Sequence, residues 1–94
     1  MRVRWLSRAL VDLDAAEAYI AQDDSQAAAD VILKIIRAVS LLKEQPGLGR
    51  AGRVPGTKEL IVPGTTYIVP YRVKDEVVQI LRVYHSFRIW LDGM

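Results

Sequence analysis

Between Lys58 and Tyr84 the chain is dense in Val, Ile and Tyr and is broken only at Pro63-Gly64 and at the charged Lys74-Asp75-Glu76. Runs of β-branched and aromatic residues bounded by turn residues predict three successive antiparallel strands joined by short turns. A sheet of that kind has an apolar face that must be covered, so the remaining residues are constrained to supply the cover. His85, the single histidine among the 94 residues, follows the last of these strands and is flanked by Arg82 and Arg88. It is expected at a sheet rim.

The first 45 residues have the periodicity needed to provide the support. Arg2, Val3, Arg4 and Trp5 alternate, which sets Val3 and Trp5 on one side and the two arginines on the other, as in a half-buried outer strand. Ser7 occupies the place of a helix N-cap, and Ala9, Leu13, Ala16 and Ile20 follow at helical spacing, giving a first helix over about Arg8 to Ala21. The polar Asp23-Asp24-Ser25 interrupts it with good capping residues. Ala28, Val31, Ile32, Ile35, Ile36, Val39 and Leu42 then form an apolar stripe predicting a second helix from about Gln26 to Glu44. Pro46 disfavours the helical conformation in Gln45, and Gly47 and Gly49 let the chain turn. The order is strand, helix, helix, strand, strand, strand: an α+β chain with two helices on one face of the sheet, read as a single domain over residues 1–94.

Composition narrows the chemistry. There is no cysteine, which removes disulfides, a thiolate nucleophile and cysteine-based metal sites, and one histidine makes a poor metal centre. No metal or other cofactor is expected. Asp12, Asp14 and Glu17 interrupt the first apolar stretch, so it reads as neither signal peptide nor membrane span, and a cytoplasmic location is expected without a membrane partner. Residues 1–45 hold six Lys/Arg against seven Asp/Glu, whereas residues 46–94 hold seven against four. The basic surplus of the strand half suits an anionic partner or is simply a solvated face.

Three segments resemble the RelE/ParE superfamily of small toxins from bacterial type II toxin–antitoxin modules, also called plasmid-stabilisation proteins. WLSRALVDLDAAEAYIAQ is similar to the family's opening, with Ala9, Asp12 and Leu13 in the matching places. PGLGRAGRVPGTKELIV is similar to its Pro-x-x-Gly-Arg turn followed by a strand beginning near Gly56, Lys58, Glu59 and Leu60. YIVPYRV and ILRVYHSFRIW resemble its paired closing strands. The resemblance implies a curved antiparallel sheet with two helices on one face, and growth arrest until a cognate antitoxin binds. It leaves two activities open, ribosome-dependent mRNA cleavage and poisoning of DNA gyrase.

A metal-free ribonuclease needs a base for the ribose 2′-OH, an acid for the leaving oxygen and cations for the phosphorane. Under the resemblance, Glu59 is the candidate base, His85 the acid, and Arg72 and Arg82 the phosphate ligands. Arg50, Arg53, Tyr84, Phe87 and Arg88 are candidates for nucleic-acid or target contact, and Ile89 and Trp90 for antitoxin contact. The family's nucleases typically place an arginine after the tyrosine that opens the penultimate strand. Here Ile68 follows Tyr67, and the Glu59–Val62 strand lacks the lysines some nucleases present.

Each candidate also has a structural reading. His85 can be a hydrogen-bonding residue at a strand end. Arg72 and Arg82 share a parity and can face each other as exposed charges, with Glu59 paired to either. Arg50 and Arg53 lie in a glycine-rich loop that matches no nucleotide-binding fingerprint. Tyr67, Val69, Tyr71 and Val73 share the parity of a core face. Ile89 and Trp90 can fold back on the sheet or anchor a partner. A non-enzymatic RNA-binding or protein-interaction module is the alternative of a different class.

Overall fold

The computed structural model of the chain describes residues 1–87. Strand β1 (Arg2–Trp5) leads into helix α1 (Ser7–Ala21), then helix α2 (Ser25–Ser40) and a 3₁₀ turn at Leu41–Lys43. Strands β2 (Arg50–Ala51), β3 (Lys58–Ile61), β4 (Tyr67–Lys74), β5 (Val77–Ile80) and β6 (Tyr84–His85) follow. The sheet order is β1-β5-β4-β3-β2, and β6 pairs with the first two residues of β4.

The α+β class and the helix-then-strand order match the reading of the sequence, with corrections at the edges. The β2–β3, β3–β4, β4–β5 and β4–β6 ladders are antiparallel, but β1 runs parallel to β5 with Val3 opposite Val78 and Trp5 opposite Ile80. The sheet is therefore mixed. Both helices lie between β1 and the other strands in sequence, so β1 enters from outside the meander and takes its free edge. The last strand is also shorter than expected: it ends at Ile80, and the chain turns before pairing again with β4 at Tyr84.

The helix boundaries shift for local reasons. Ser7 is not the N-cap of α1; Leu6 is, and its extended backbone makes no side-chain cap. The Leu6 N–H donates to the carbonyl of Ile80 at 3.0 Å while its own carbonyl accepts from Ala9 and Leu10, so strand pairing continues up to the residue where the helix begins. Helix α2 has the expected type of cap: Asp24 Oδ1 accepts from the N–H groups of Gln26 and Ala27 at 3.0 and 3.1 Å. Its α-helical part stops at Ser40, and the last turn expected up to Glu44 tightens into the 3₁₀ segment.

The core lies between the helices and one sheet face. Ile35, Val39 and Leu42 from the second helical segment meet Leu60, Val69, Tyr71, Val78 and Ile80, all nearly or fully buried. Helix α1 contributes Ala9 and Ala16, small side chains that allow close approach. Burial of each large aliphatic side chain is worth about 1.5–3 kcal/mol. Tyr67, Val69 and Tyr71 are buried as their parity predicts, whereas Val73, the fourth of that set, is 42% exposed at the strand end. Ile68, of opposite parity, is buried beside its β6 partner Tyr84.

Two turns have special backbone geometry. Lys74 and Val77 pair across a two-residue hairpin whose central residues, Asp75 and Glu76, have φ of 52° and 61°. This is a type I′ turn built without glycine or asparagine. Further along the sheet, the Tyr71 hydroxyl donates to the Pro46 carbonyl at 2.7 Å and accepts from the Gly49 N–H at 2.8 Å, pinning the loop after α2 to the core. A Cβ on Gly49 would stand 2.7 Å from the Tyr71 ring and 2.9 Å from the Glu59 carbonyl oxygen. Among the described residues no helix is long and apolar enough to cross a membrane.

Candidate functional site

The four residues proposed from the sequence as catalytic do not converge. Glu59 alternates with the core residue Leu60 on β3, and Arg72 alternates with the core residue Tyr71 on β4, so both belong to the sheet face turned away from the helices. His85 is registered against Tyr67, a core-facing residue, and its ring meets the Tyr67 ring edge-on at 5.5 Å. It therefore lies on the helix side. A base and an acid on opposite faces of a sheet do not reach one phosphate.

Each of the four is also engaged. Glu59 is only 5% exposed. One carboxylate oxygen accepts from Arg50 Nη2 at 3.2 Å, and the other accepts from the backbone N–H of Arg53 at 3.2 Å. The partner anticipated for Glu59 was Arg72 or Arg82; it is Arg50, its β2 register partner. Glu59 thus fixes the loop that carries Arg50 and Arg53. That loop is organised by a carboxylate, so it is not a cradle open to phosphate.

Arg72 donates through Nε to Gln79 on the adjacent strand at 2.6 Å. It does not face Arg82, as strand parity suggested, because Arg82 lies beyond the end of β5. Instead Arg82 reaches Asp12 on α1, with Nε at 2.7 Å from Oδ2 and Nη2 at 3.1 Å from Oδ1. The Val83 N–H donates to the same Oδ2 at 2.9 Å. The guanidinium carbon of Arg82 also sits 4.6 Å from the centre of the Tyr84 ring, a cation–π contact that occupies one face of that ring.

His85 itself is exposed, and its Nδ1 accepts from the backbone N–H of Phe87 at 3.2 Å. The neutral ring consequently carries its proton on Nε2. Together with Asp12, Tyr19, Tyr67, Tyr84 and Phe87, His85 lines an open groove of about 500 Å³ between α1 and the end of the sheet. Burial, with a smaller contribution from Tyr19, pushes the Tyr67 phenol above its ordinary pKa. Burial does the same for Tyr71, partly offset by the Gly49 N–H. Both remain neutral at physiological pH.

The groove assembles Tyr84, His85 and Phe87 from the candidate set and adds Asp12 and Tyr19 from the first helix, which were not proposed as site residues. Asp12 carried a signal: it is one of the three residues that matched the opening segment of the toxin superfamily. Arg88, Ile89 and Trp90 lie outside the described residues.

Comparison with known proteins agrees with this architecture. Residues 3–90 match the profile of the family described as the ParE toxin of the type II toxin–antitoxin system parDE. The chain is 46% identical over 89 residues to Y4kP of Sinorhizobium fredii, covering 95% of this chain and 92% of that one. It is 35% identical over 88 residues to toxin RelE2 of Caulobacter vibrioides, covering 94% and 98%. A solved chain of the chromosomal ParDE system from P. aeruginosa superimposes with a TM-score of 0.81 at 31% identity, over 90% of this chain and 95% of that chain. A chain of the RelBE2 toxin–antitoxin complex from Mycobacterium tuberculosis gives 0.62 at 28% identity, over 89% and 95%. Sequence and structure therefore agree that this chain belongs to the ParE family of type II toxins.

Proposed function

We propose that this chain arrests bacterial growth by binding and poisoning DNA gyrase in the cytoplasm, without cleaving mRNA, and that a cognate antitoxin holds it inactive. The observation that carries the reading is the separation of Glu59 and Arg72 from His85 by the thickness of the sheet. Acid–base cleavage of RNA needs its base, acid and cations around one phosphate. Here the base candidate is nearly buried and accepts two hydrogen bonds, and the Arg82 candidate is committed to Asp12. A stoichiometric poison has no such requirement, because its action is affinity for a target surface.

The antitoxin proposal is supported by the origin of the structural neighbours, which come from ParDE and RelBE2 toxin–antitoxin systems. It is also supported by the exposed apolar side chains of Leu10, Val11, Tyr19, Leu33 and Ile36 on the two helices. They offer anchors to an apolar segment that folds on binding.

The test is tightly controlled expression of the chain alone, with pulse-labelling of DNA and protein synthesis through the first minutes. DNA synthesis is expected to fall first, with filamentation, and co-expression of the antitoxin to restore both. A collapse of protein synthesis that precedes any change in DNA synthesis would replace this reading with mRNA cleavage.

A further inference from the structure

The sheet face turned away from the helices carries two registered rows of cations. Across β1, β5 and β4 the first row is Arg4, Gln79, Arg72 and the second is Arg2, Val77, Lys74. Residues directly opposite in a ladder share a face, and the alternate positions Val3, Trp5, Val78, Ile80 and Tyr71 pack toward the core. All four cations are exposed. With strands about 4.8 Å apart, the two cations of one row have backbones roughly 10 Å apart, and the rows are separated by about 7 Å.

The four cations of these rows form no ion pair with their neighbours in the ladder. Among the described residues the ion pairs are Arg50 with Glu59 and Arg82 with Asp12, and neither uses a residue of these rows. Asp75 and Glu76 share a surface hollow with Arg2 at the hairpin end, so the second row is partly balanced; Glu59, on the same face of β3, spends its carboxylate on Arg50 and the Arg53 N–H rather than on Arg72. The bond between Arg72 and Gln79 uses Nε, which fixes the side chain across the sheet and leaves its two Nη groups to donate elsewhere.

The surroundings of the rows discriminate among anions. No aromatic residue lies in either row, so unpaired bases find no stacking platform there. The exposed large apolar side chains are mainly on the helices and loops, so an acidic protein segment would find its anchors elsewhere. What remains is an exposed lattice of donors suited to phosphate oxygens of a duplex, contacted without reading sequence.

We infer that Arg2, Arg4, Arg72 and Lys74 form a binding surface for the phosphate backbone of duplex DNA. This goes beyond the growth-arrest reading and does not depend on which target is poisoned. Four phosphate contacts imply a slope of log K against log salt near −3.6, or about a hundredfold loss of affinity between about 50 and 200 mM salt.

The experiment is fluorescence anisotropy of the purified full chain with a short labelled DNA duplex of mixed sequence, titrated at several salt concentrations. The combined change Arg4→Gln and Arg72→Gln, which keeps side-chain length and polarity, is expected to lower the slope to about −1.8. Arg37→Gln on α2 is expected to leave it unchanged, and thermal melting verifies that both variants are folded. An unchanged slope in the double variant overturns the assignment. So does binding to single-stranded RNA or to polyglutamate as tight as to the duplex.

Discussion

Asp12 on the first helix receives Arg82 on both carboxylate oxygens, at 2.7 and 3.1 Å, and receives the Val83 N–H as well. One side chain thus ties α1 to the segment joining β5 and β6, and with it the orientation of the groove wall. Both partners are largely sheltered, with side-chain exposures of 23% for Arg82 and 15% for Asp12. Removing the carboxylate takes two hydrogen bonds from Arg82 and one from the Val83 N–H, whereas removing the cation leaves Asp12 still bonded to Val83. Asp12→Ala is therefore expected to cost about 2–3 kcal/mol and Arg82→Ala about 1–2. Urea unfolding of both and of the double variant measures this, with a coupling of about 1 kcal/mol expected. Loss of less than about 0.5 kcal/mol in Asp12→Ala would remove the pair from the structural account.

The combined variant Glu59→Gln and His85→Ala separates poisoning from catalysis. If Glu59 positions a loop and His85 receives a backbone N–H, toxicity per folded molecule persists. If they are the base and acid of a nuclease, loss of general acid–base catalysis lowers the rate by about 10²–10⁴-fold for each. The measurement is growth arrest at matched levels of folded protein, with hydrogen exchange at the Arg53 amide as the structural readout. That amide is expected to exchange faster, because its acceptor becomes a weaker neutral amide. Abolished toxicity with unchanged exchange would restore the catalytic assignment.

These residues show what was legible in the sequence. The strand runs, the apolar stripe of α2 and the break before Pro46 are local properties, and the architecture follows from them. The face of Arg72 was also legible, because β4 is long and its parity holds. Parity failed for Arg82 because the strand had already ended at Ile80, and alternation has no meaning beyond a ladder. Its partner Asp12 is 70 positions away, a pairing that only the packed helix creates. The pairing of Glu59 with Arg50 is not legible in the sequence because the short strand β2, two residues between glycines, has almost no periodic signal. Ser7 has the preference of a cap but does not act as one, because backbone pairing to Ile80 extends to Leu6, a tertiary contact that overrides a local preference.

The β4–β5 hairpin stores strain in its turn. Asp75 and Glu76 both adopt positive φ, a conformation that costs an L-residue roughly 1–2 kcal/mol. Glycine at position 76 would remove that cost while adding freedom to the unfolded chain, so Glu76→Gly is expected to stabilise by about 0.5 kcal/mol. Glu76→Val, β-branched at the same φ, is expected to destabilise by about 1 kcal/mol or more. Chemical denaturation of the two variants gives the sign directly. Destabilisation by the glycine would mean that Glu76 makes compensating interactions in the turn.

Tyr71 makes stability sensitive to alkaline pH. Its ring is fully buried, its hydroxyl donates to the Pro46 carbonyl and accepts from the Gly49 N–H, and burial raises its pKa in the folded state. In the unfolded chain the phenol ionises near its ordinary value of about 10. Between that value and the folded pKa, the unfolded state has released a proton that the native state keeps. Protons bound to the unfolded state are then fewer, and stability falls as pH rises, by up to about 1.4 kcal/mol per pH unit for one such group. Below pH 10 the full contribution is present. Tyr71→Phe is expected to cost about 1–3 kcal/mol at neutral pH, because Gly49 and Pro46 lose their partner. Above pH 10 the difference between wild type and variant should shrink, since only the wild type still has that proton to lose in unfolding. Tyr67, also raised by burial, leaves a residual alkaline loss in the single variant. Unfolding midpoints measured from pH 7 to 11 decide the matter: a gap that stays constant across the range would show that the Tyr71 hydroxyl ionises alike in both states.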